Sequence, residues 1–304
     1  MFATTGAVQI DDEFLRDGLQ NESRAFSLAE KLGFVTALEQ AGVRRIELGS
    51  FVHPKLVPQM ADTDALFAAI TAKPGVIYTA LILNMAGLER AITAGARHLS
   101  ISVLASETHS RKNLNKTVDE ARAGIAPILE RALSAGIAVR AGIQSALGCS
   151  FKGRIDPVRV LKIARSYGEI GVHEVNIADT AGLANPVQVH DLCRRVRDVL
   201  PDTTALSLHL HDTCGLGLAN MLAGLQAGVR IFDAALGGLG GCPFIPAATG
   251  NIATEDAVFA LSEMGFATGI DWPALIPAVQ AAEAALGRRL PGRMAHLANP
   301  EAWA

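Results

Sequence analysis

The chain has 304 residues, of which half are apolar and 19% are charged, and its net charge at pH 7 is −3. This length fits one large domain or two small ones, with ample apolar material for a core. The charge is close to neutral and no basic stripe is present, which excludes a dedicated nucleic-acid-binding protein. The low charged fraction favours a homo-oligomer, a dimer or a tetramer, in which part of the surface is buried.

Targeting signals are not evident in the sequence. The first residues lack the basic and apolar regions of an export signal, and no apolar run is long enough to cross a membrane. The cysteines are widely spaced, without a C-x-x-C pair: Cys149, Cys193, Cys214 and Cys242. We therefore expect a cytoplasmic protein with reduced cysteines and no membrane association.

Short β-rich runs alternate with longer helical patterns along the chain. Strands are predicted at residues 8–14, 45–48, 76–82, 98–103, 138–143, 174–177, 205–209 and 230–235. Helices are predicted between them at residues 27–40, 85–94, 118–135, 157–170, 187–200 and 218–227. Such an alternation is typical of α/β proteins with a parallel sheet.

Several predicted helices end at a glycine just before the next strand. Glycine readily adopts the left-handed conformation that closes a helix. These glycines recur about every 30 residues, and eight βα units of that size make a (β/α)8 TIM barrel of roughly 250 residues. We predict a single domain, with the barrel over about residues 7–265 and a C-terminal helical addition over residues 266–304. An open doubly wound sheet is the alternative.

Polar residues at two predicted strand ends suggest a cation site. Arg16 and Asp17 follow the first strand, and His209 and His211 close the seventh. Residues two apart in a strand point the same way, so both imidazoles can face Asp17 at the catalytic rim of the barrel. Nitrogen and oxygen ligands together suit Mg²⁺ or Mn²⁺ better than structural zinc. Taken alone, each group could instead be a surface ion pair or a core histidine.

Further candidates lie near other strand ends. The glycine-rich residues 237–241 precede Cys242, which we predict to be an acid/base group or a gate in a lid loop. No helix follows these glycines, so they are not a dinucleotide fingerprint, and we expect no nucleotide redox cofactor. Asn251 offers an amide ligand or a helix cap. Glu47 and Asp179 are either catalytic carboxylates or loop anchors.

Together these segments resemble the 3-hydroxy-3-methylglutaryl-CoA lyase family, a group of metal-dependent TIM-barrel lyases. The resemblance covers about residues 8–288, through motifs such as RDGLQNE (residues 16–22), HLHDT (209–213) and GGLGGCP (237–243). The resemblance implies that the metal ligands are Asp17, His209, His211 and Asn251. It implies that the catalytic residues are Arg16, Glu47, Asp179, His209 and Cys242.

The implied reaction is the retro-Claisen cleavage of 3-hydroxy-3-methylglutaryl-CoA, or a close analogue, to acetyl-CoA and acetoacetate. Asp179, helped by His209 or Glu47, would take the C3 hydroxyl proton. Arg16 would stabilise the thioester oxygen, and Cys242 would deliver a proton to the acetyl carbanion. Substrate contacts are expected from Arg16, Gln20, Arg111, Lys112, Asn113 and Thr180.

Three alternatives remain open from the sequence. A sister lyase or aldolase could act on another substrate, such as citramalyl-CoA. A condensing synthase or a catalytically silent barrel would share the fold. Several departures from the family pattern lie where a substrate side chain could be sensed, so the identity of the acyl group stays open. The departures are at Leu15, Ser23, Gly49, Ile82, Leu83 and Cys214.

Overall fold

Eight parallel strands close into a barrel, and each pairs with its neighbours in chain order. The computed structural model describes residues 6–241 and 250–297. The strands are β1 (Gln9–Asp12), β2 (Arg45–Ser50), β3 (Ile77–Leu81), β4 (His98–Leu104), β5 (Ala138–Gln144), β6 (Glu174–Asp179), β7 (Ala205–Leu210) and β8 (Ile231–Ala234). The predicted (β/α)8 barrel is confirmed.

A helix follows every strand and covers the outside of the barrel. In chain order the α-helices are α1 (Leu28–Gln40), α2 (Thr63–Ala69), α3 (Met85–Thr93), α4 (Glu107–Leu114), α5 (Val118–Ser134), α6 (Pro157–Ile170), α7 (Pro186–Arg197), α8 (Gly217–Gln226), α9 (Thr254–Glu263) and α10 (Ile276–Leu286). Both α4 and α5 follow β4, and α9 completes the eighth unit. Among the described residues, no helix is both long and apolar enough to cross a membrane.

Local sequence signals fix the helix ends. Ser27 and Thr117 cap α1 and α5 through reciprocal hydrogen bonds with a glutamate three residues later. Gly171 ends α6 with a φ of 89°, in the left-handed region that the sequence predicted for it. These caps explain why the predicted helix boundaries lie within a few residues of the observed ones.

The first predicted strand is shorter than expected. We predicted a strand to residue 14, but β1 ends at Asp12 and residues Phe14–Gly18 form a single π-helical turn. The Asp12 carboxylate causes this early end, because it accepts hydrogen bonds from the Phe14 amide and from the Thr254 hydroxyl (3.0 and 2.6 Å). The turn carries Arg16 and Asp17 over the mouth of the barrel.

The C-terminal part of the chain packs on the first βα unit. Leu275 and Val279, before and within α10, share a buried cluster with Phe34 and Leu38 of α1. The predicted division into a barrel and a C-terminal addition remains a prediction.

The segment after α10 supports the turn that follows β8. The Gly292 amide donates to the Gly237 carbonyl (2.9 Å), and the Asp256 carboxylate accepts from the amides of Arg293 and Met294 (2.9 and 2.8 Å). A Cβ atom on Gly237, whose φ is 67°, would lie 2.5 Å from Leu290 Cδ1. Residues 290–294 therefore form a brace behind the glycine-rich turn.

Candidate active site

The predicted cation ligands come together at the C-terminal rim of the barrel. Asp17 lies in the turn after β1, His209 lies in β7, and His211 follows β7 directly. One ligand atom from each lies within 4.8 Å of the other two, and all three residues are buried. The two Nε2 atoms of the histidines are 2.9 Å apart, and Nε2 of His211 is 3.6 Å from Asp17 Oδ2.

This arrangement fits a divalent cation. With the Nε2 atoms of His209 and His211 2.9 Å apart, either one N–H donates to the other nitrogen, or a cation replaces that proton and binds both lone pairs. Asn251 is held beside His211 by an isolated β-bridge. Its amide nitrogen donates to Asp17 Oδ2 (2.8 Å), and its buried Oδ1 has no hydrogen-bond partner among the described residues. Carboxylate, amide and imidazole donors suit a hard or borderline divalent ion.

Two carboxylates that the sequence analysis missed hold His209 in place. Nδ1 of His209 lies 3.0 Å from Asp233 Oδ2 and 3.3 Å from Glu13 Oε2. These acceptors keep the proton on Nδ1 and leave Nε2 directed at the cation site, as expected around a metal ligand. Burial opposes a charged imidazole, but the neighbouring Glu13 and Asp233 outweigh it and raise the pKa of His209 to about 10, so a cation binds Nε2 only by displacing a proton.

Arg16 is held by carboxylates on three sides. Its guanidinium pairs with Glu13 and Glu47, and Nη1 lies 2.6 Å from Asp17 Oδ1. Burial raises the pKa of Glu47 to about 6, although the Arg16 charge acts in the opposite direction. Burial also acts to raise the pKa of Asp17, but Arg16 together with His211 and His209 outweighs it and holds the pKa of that carboxyl well below its usual range. The guanidinium is therefore immobilised between Glu47 and the cation site.

A buried ionic network continues below the site. Arg140 pairs with Asp233 and Glu13 above it, and with Glu174 below it (3.3 Å). Within this network, three arginines face six carboxylates: Arg16, Arg45 and Arg140 with Asp11, Glu13, Asp17, Glu47, Glu174 and Asp233. An excess of buried negative charge is costly unless protons or a cation balance it. Protons supply part of that balance, because burial raises the pKa of Asp11 to about 8, and a cation at this rim would supply another part.

Asp179 is the last residue of β6 and is fully buried. Its two carboxylate oxygens accept hydrogen bonds from the amides of Leu183 and Ala184 (3.1 and 3.0 Å). Burial raises the pKa of Asp179, and these two hydrogen bonds partly offset the effect. The contacts show an anchor for the loop after β6, so a role as the base remains a proposal.

Two predicted substrate contacts lie at the same rim. Gln20 donates to Asp17 Oδ1 (2.9 Å) and so helps to hold a proposed metal ligand. The Thr180 hydroxyl donates to Gln144 Oε1 (2.9 Å) and accepts from the Ser145 amide (2.8 Å). Ser145 has a φ of 55°, which is unusual for a residue with a side chain. Thr180 thus stabilises a strained turn after β5.

The remaining predicted residues lie on an exposed helix or outside the described part of the chain. Arg111, Lys112 and Asn113 are exposed on α4, which follows β4 at the same rim. Lys112 Nζ lies 4.2 Å from the centre of the Phe151 ring. Cys242 lies outside the described residues, so its predicted proton role has no structural test here.

Comparison with known proteins agrees with this geometry. A family model described as HMGL-like matches residues 7–281. The hydroxymethylglutaryl-CoA lyase of Pseudomonas mevalonii is 42% identical over 88% of this chain and 89% of its own length. The (R)-citramalyl-CoA lyase of Chloroflexus aurantiacus is 43% identical over 94% of this chain and 93% of its own.

A solved structure is also closely similar. An HMG-CoA lyase from A. baumannii, in complex with coenzyme A and 3-methylmalate, is 39% identical and superposes with a TM-score of 0.90. The alignment covers 96% of this chain and 95% of that one. The similarity therefore extends over the whole barrel.

Proposed function

The chain belongs to the HMGL-like family of carbon–carbon lyases, and from this premise we propose that it cleaves 3-hydroxy-3-methylglutaryl-CoA or a close analogue. The products are acetyl-CoA and, from that substrate, acetoacetate. The observation that carries the proposal is the convergence of Asp17, His209 and His211 within 4.8 Å, beside the immobilised Arg16. A substrate bound there meets a cation site and a fixed guanidinium at once.

We propose Mg²⁺ or Mn²⁺ at this site, held by Asp17, His209, His211 and Asn251. Such an ion, when bound, lowers the pKa of the substrate's C3 hydroxyl and orients it. The protein's own residues do the rest. Asp233 and Glu13 keep the His209 ring oriented, and the barrel walls exclude bulk water from the reacting bond.

Proton transfer and charge stabilisation fall to separate groups. The C3 hydroxyl proton passes to Asp179 with help from Glu47, or from His209 where Nε2 of that ring is free, because its Nδ1 proton is held by Asp233. Glu47 suits this task because its pKa, raised to about 6, lies near neutral pH. Arg16 hydrogen-bonds the thioester oxygen, where negative charge grows as the C2–C3 bond breaks. A planar guanidinium already fixed by carboxylates needs no rearrangement at that moment.

Other parts of the proposal rest on the sequence. Cys242 delivers the proton to the acetyl carbanion, since a thiol of ordinary pKa near 8.5 is mostly protonated at neutral pH. Arg111, Lys112 and Asn113 contact the CoA moiety. We also propose a cytoplasmic enzyme that works as a homo-oligomer.

The decisive experiment measures acetyl-CoA release from 3-hydroxy-3-methylglutaryl-CoA and, in parallel, from citramalyl-CoA. We expect turnover that EDTA abolishes and that Mg²⁺ or Mn²⁺ restores. Cleavage of citramalyl-CoA alone would assign the chain to the sister activity. Full activity after removal of divalent ions would refute the proposed cation site.

Two variants test the assigned roles. Arg16→Lys should lower kcat far more than it raises KM, because the planar guanidinium stabilises charge that develops only in the transition state. Arg24→Lys, a change in a partly exposed arginine paired with Glu30, is the matched control. Cys242→Ala should keep cation binding and lose turnover, because the change removes only the proposed proton donor.

A further inference from the structure

A narrow cavity lies in the mouth of the barrel, directly beside the proposed reaction residues. Glu13, Arg16 and His209 form one of its walls. The opposite wall comes from β4 and β5 and includes Ser102 and Gln144. A substrate that reaches both Arg16 and the cation site therefore turns part of its acyl group toward β4 and β5.

Two of the four polar side chains on this opposite wall have unused hydrogen-bond donors. The other two belong to the ionic network: Ser100 donates its hydroxyl to Glu47 (2.6 Å), and Arg140 pairs with carboxylates. By contrast, the Ser102 hydroxyl and the Gln144 amide nitrogen have no acceptor within residues 6–241 and 250–297. The Gln144 side chain is fixed all the same, because its Oε1 accepts from the Thr180 hydroxyl.

Gly142 leaves space between these two donors. A Cβ atom on Gly142 would lie 2.9 Å from Ser102 Cβ and 3.8 Å from Gln144 Nε2. No positive φ requires glycine here. A glycine inside a strand weakens the strand and often marks the close approach of a ligand. Gly142 therefore keeps open a small gap into which both donors can reach.

A methyl group is a poor occupant of such a gap, because it leaves both donors without a partner. An oxygen atom in the same place accepts from both. Sites built to hydrogen-bond a substrate group discriminate strongly against analogues that lack it, whereas one additional methylene changes the rate much less.

We propose that the substrate carries, in the position of the C3 methyl of 3-hydroxy-3-methylglutaryl-CoA, a small oxygen-bearing group that accepts hydrogen bonds from Ser102 and Gln144. This inference rests on the proposed lyase function and specifies its acyl group. Gly142 and the two donors are its specificity-determining residues.

The test compares four thioesters of the 3-hydroxyglutaryl-CoA series whose C3 substituent is hydrogen, methyl, ethyl or hydroxymethyl. Ethyl and hydroxymethyl have the same number of heavy atoms and differ only in CH₃ against OH. We expect kcat/KM for the hydroxymethyl compound to exceed that for the ethyl compound by about tenfold or more. An ethyl compound that is cleaved equally well, or a methyl compound that is cleaved best, overturns the inference and leaves the lyase function standing. If neither these four compounds nor citramalyl-CoA is cleaved, the proposed function itself fails.

Variants locate the effect in the wall. In the double variant Ser102→Ala, Gln144→Leu, kcat/KM for the hydroxymethyl compound should come within about threefold of kcat/KM for the ethyl compound. Gly142→Ala should lower kcat/KM for both of these compounds more than for the hydrogen compound, because the added methyl fills the gap. Ser134→Ala, at the end of α5, is the control and should preserve the ratio. A ratio that survives in the double variant, measured on protein with a cooperative thermal transition, refutes the assignment.

Discussion

Replacing Glu13 by glutamine tests how the site holds its two central groups. One carboxylate oxygen of Glu13 contacts both Arg16 and His209 Nδ1 (3.3 Å), while the other faces Arg140 Nη2 (3.3 Å). Glutamine keeps the shape of the side chain but offers only one acceptor oxygen. If the amide oxygen faces Arg16 and His209, the NH₂ group faces Arg140. If the amide is turned round, the NH₂ group faces Arg16 and His209.

The size of the effect follows from what remains around each partner. Arg16 keeps Asp17 and Glu47, so the guanidinium stays bound but is held less firmly. His209 keeps Asp233 as its Nδ1 acceptor. Changes in groups that orient a metal ligand typically cost about 10- to 100-fold in affinity or activity. Because one acceptor survives at each partner, we expect kcat to fall about tenfold while KM changes by less than about threefold.

The assay is steady-state release of acetyl-CoA, combined with Mn²⁺ titration followed by electron paramagnetic resonance. The Mn²⁺ dissociation constant should rise together with the loss in kcat. The matched control is Glu39→Gln, which removes a buried carboxylate from Lys73 and Tyr78 near the start of β3. An unchanged kcat and Mn²⁺ affinity in Glu13→Gln, or an equal loss in Glu39→Gln, would refute the reasoning.

Three further predictions concern stability. Burial raises the pKa of Glu255 from 4.5 to about 8, so the folded protein holds this proton more tightly than the unfolded chain. The contribution of Glu255 to the free energy of unfolding therefore falls as the pH rises between those values, by up to about 1.4 kcal/mol per pH unit. Glu255→Gln should remove this pH dependence in urea titrations. An identical pH dependence in the variant would contradict the prediction. Removal of divalent ions with EDTA should lower the thermal midpoint, and Mn²⁺ above its dissociation constant should raise it again with the logarithm of its concentration; a midpoint indifferent to Mn²⁺ argues against binding. Gly237→Ala combines a positive φ with a clash against Leu290. It should therefore destabilise the protein more than Gly171→Ala, where φ is 89° but the added methyl meets no atom within 4 Å. Equal losses of about 1 kcal/mol in the free energy of unfolding would show that residues 290–294 move aside for the methyl.

The sequence predicted the barrel well because its signals are local. All eight strands and the six predicted helices are present, since each is delimited by a cap or a glycine whose effect spans only a few residues. Three other helices, α2, α4 and α9, were not predicted: α2 has only seven residues, and α4 has the polar sequence ETHSRKNL. Their formation depends on the barrel beneath them rather than on their own periodicity.

The cation ligands could be proposed from sequence because His209 and His211 share a strand face and a strand end. Glu13, Arg140 and Asp233 could not be paired in that way, because their contacts join strands that are far apart in the chain. A signal was nevertheless present. In a closed parallel barrel, where both faces of every strand are covered, a charged residue inside a strand must have a partner. Asp11, Arg45, Arg140, Glu174 and Asp233 all satisfy that rule, and together they predict an ionic interior.

The brace formed by residues 290–294 has a practical consequence for anyone who modifies this protein. The polypeptide that follows α10 supports, from behind, the backbone that leads from β8 toward Asn251. Losing that support should loosen the site without touching a ligand. A chain shortened after Leu286 should therefore bind Mn²⁺ less tightly although every proposed ligand is still encoded.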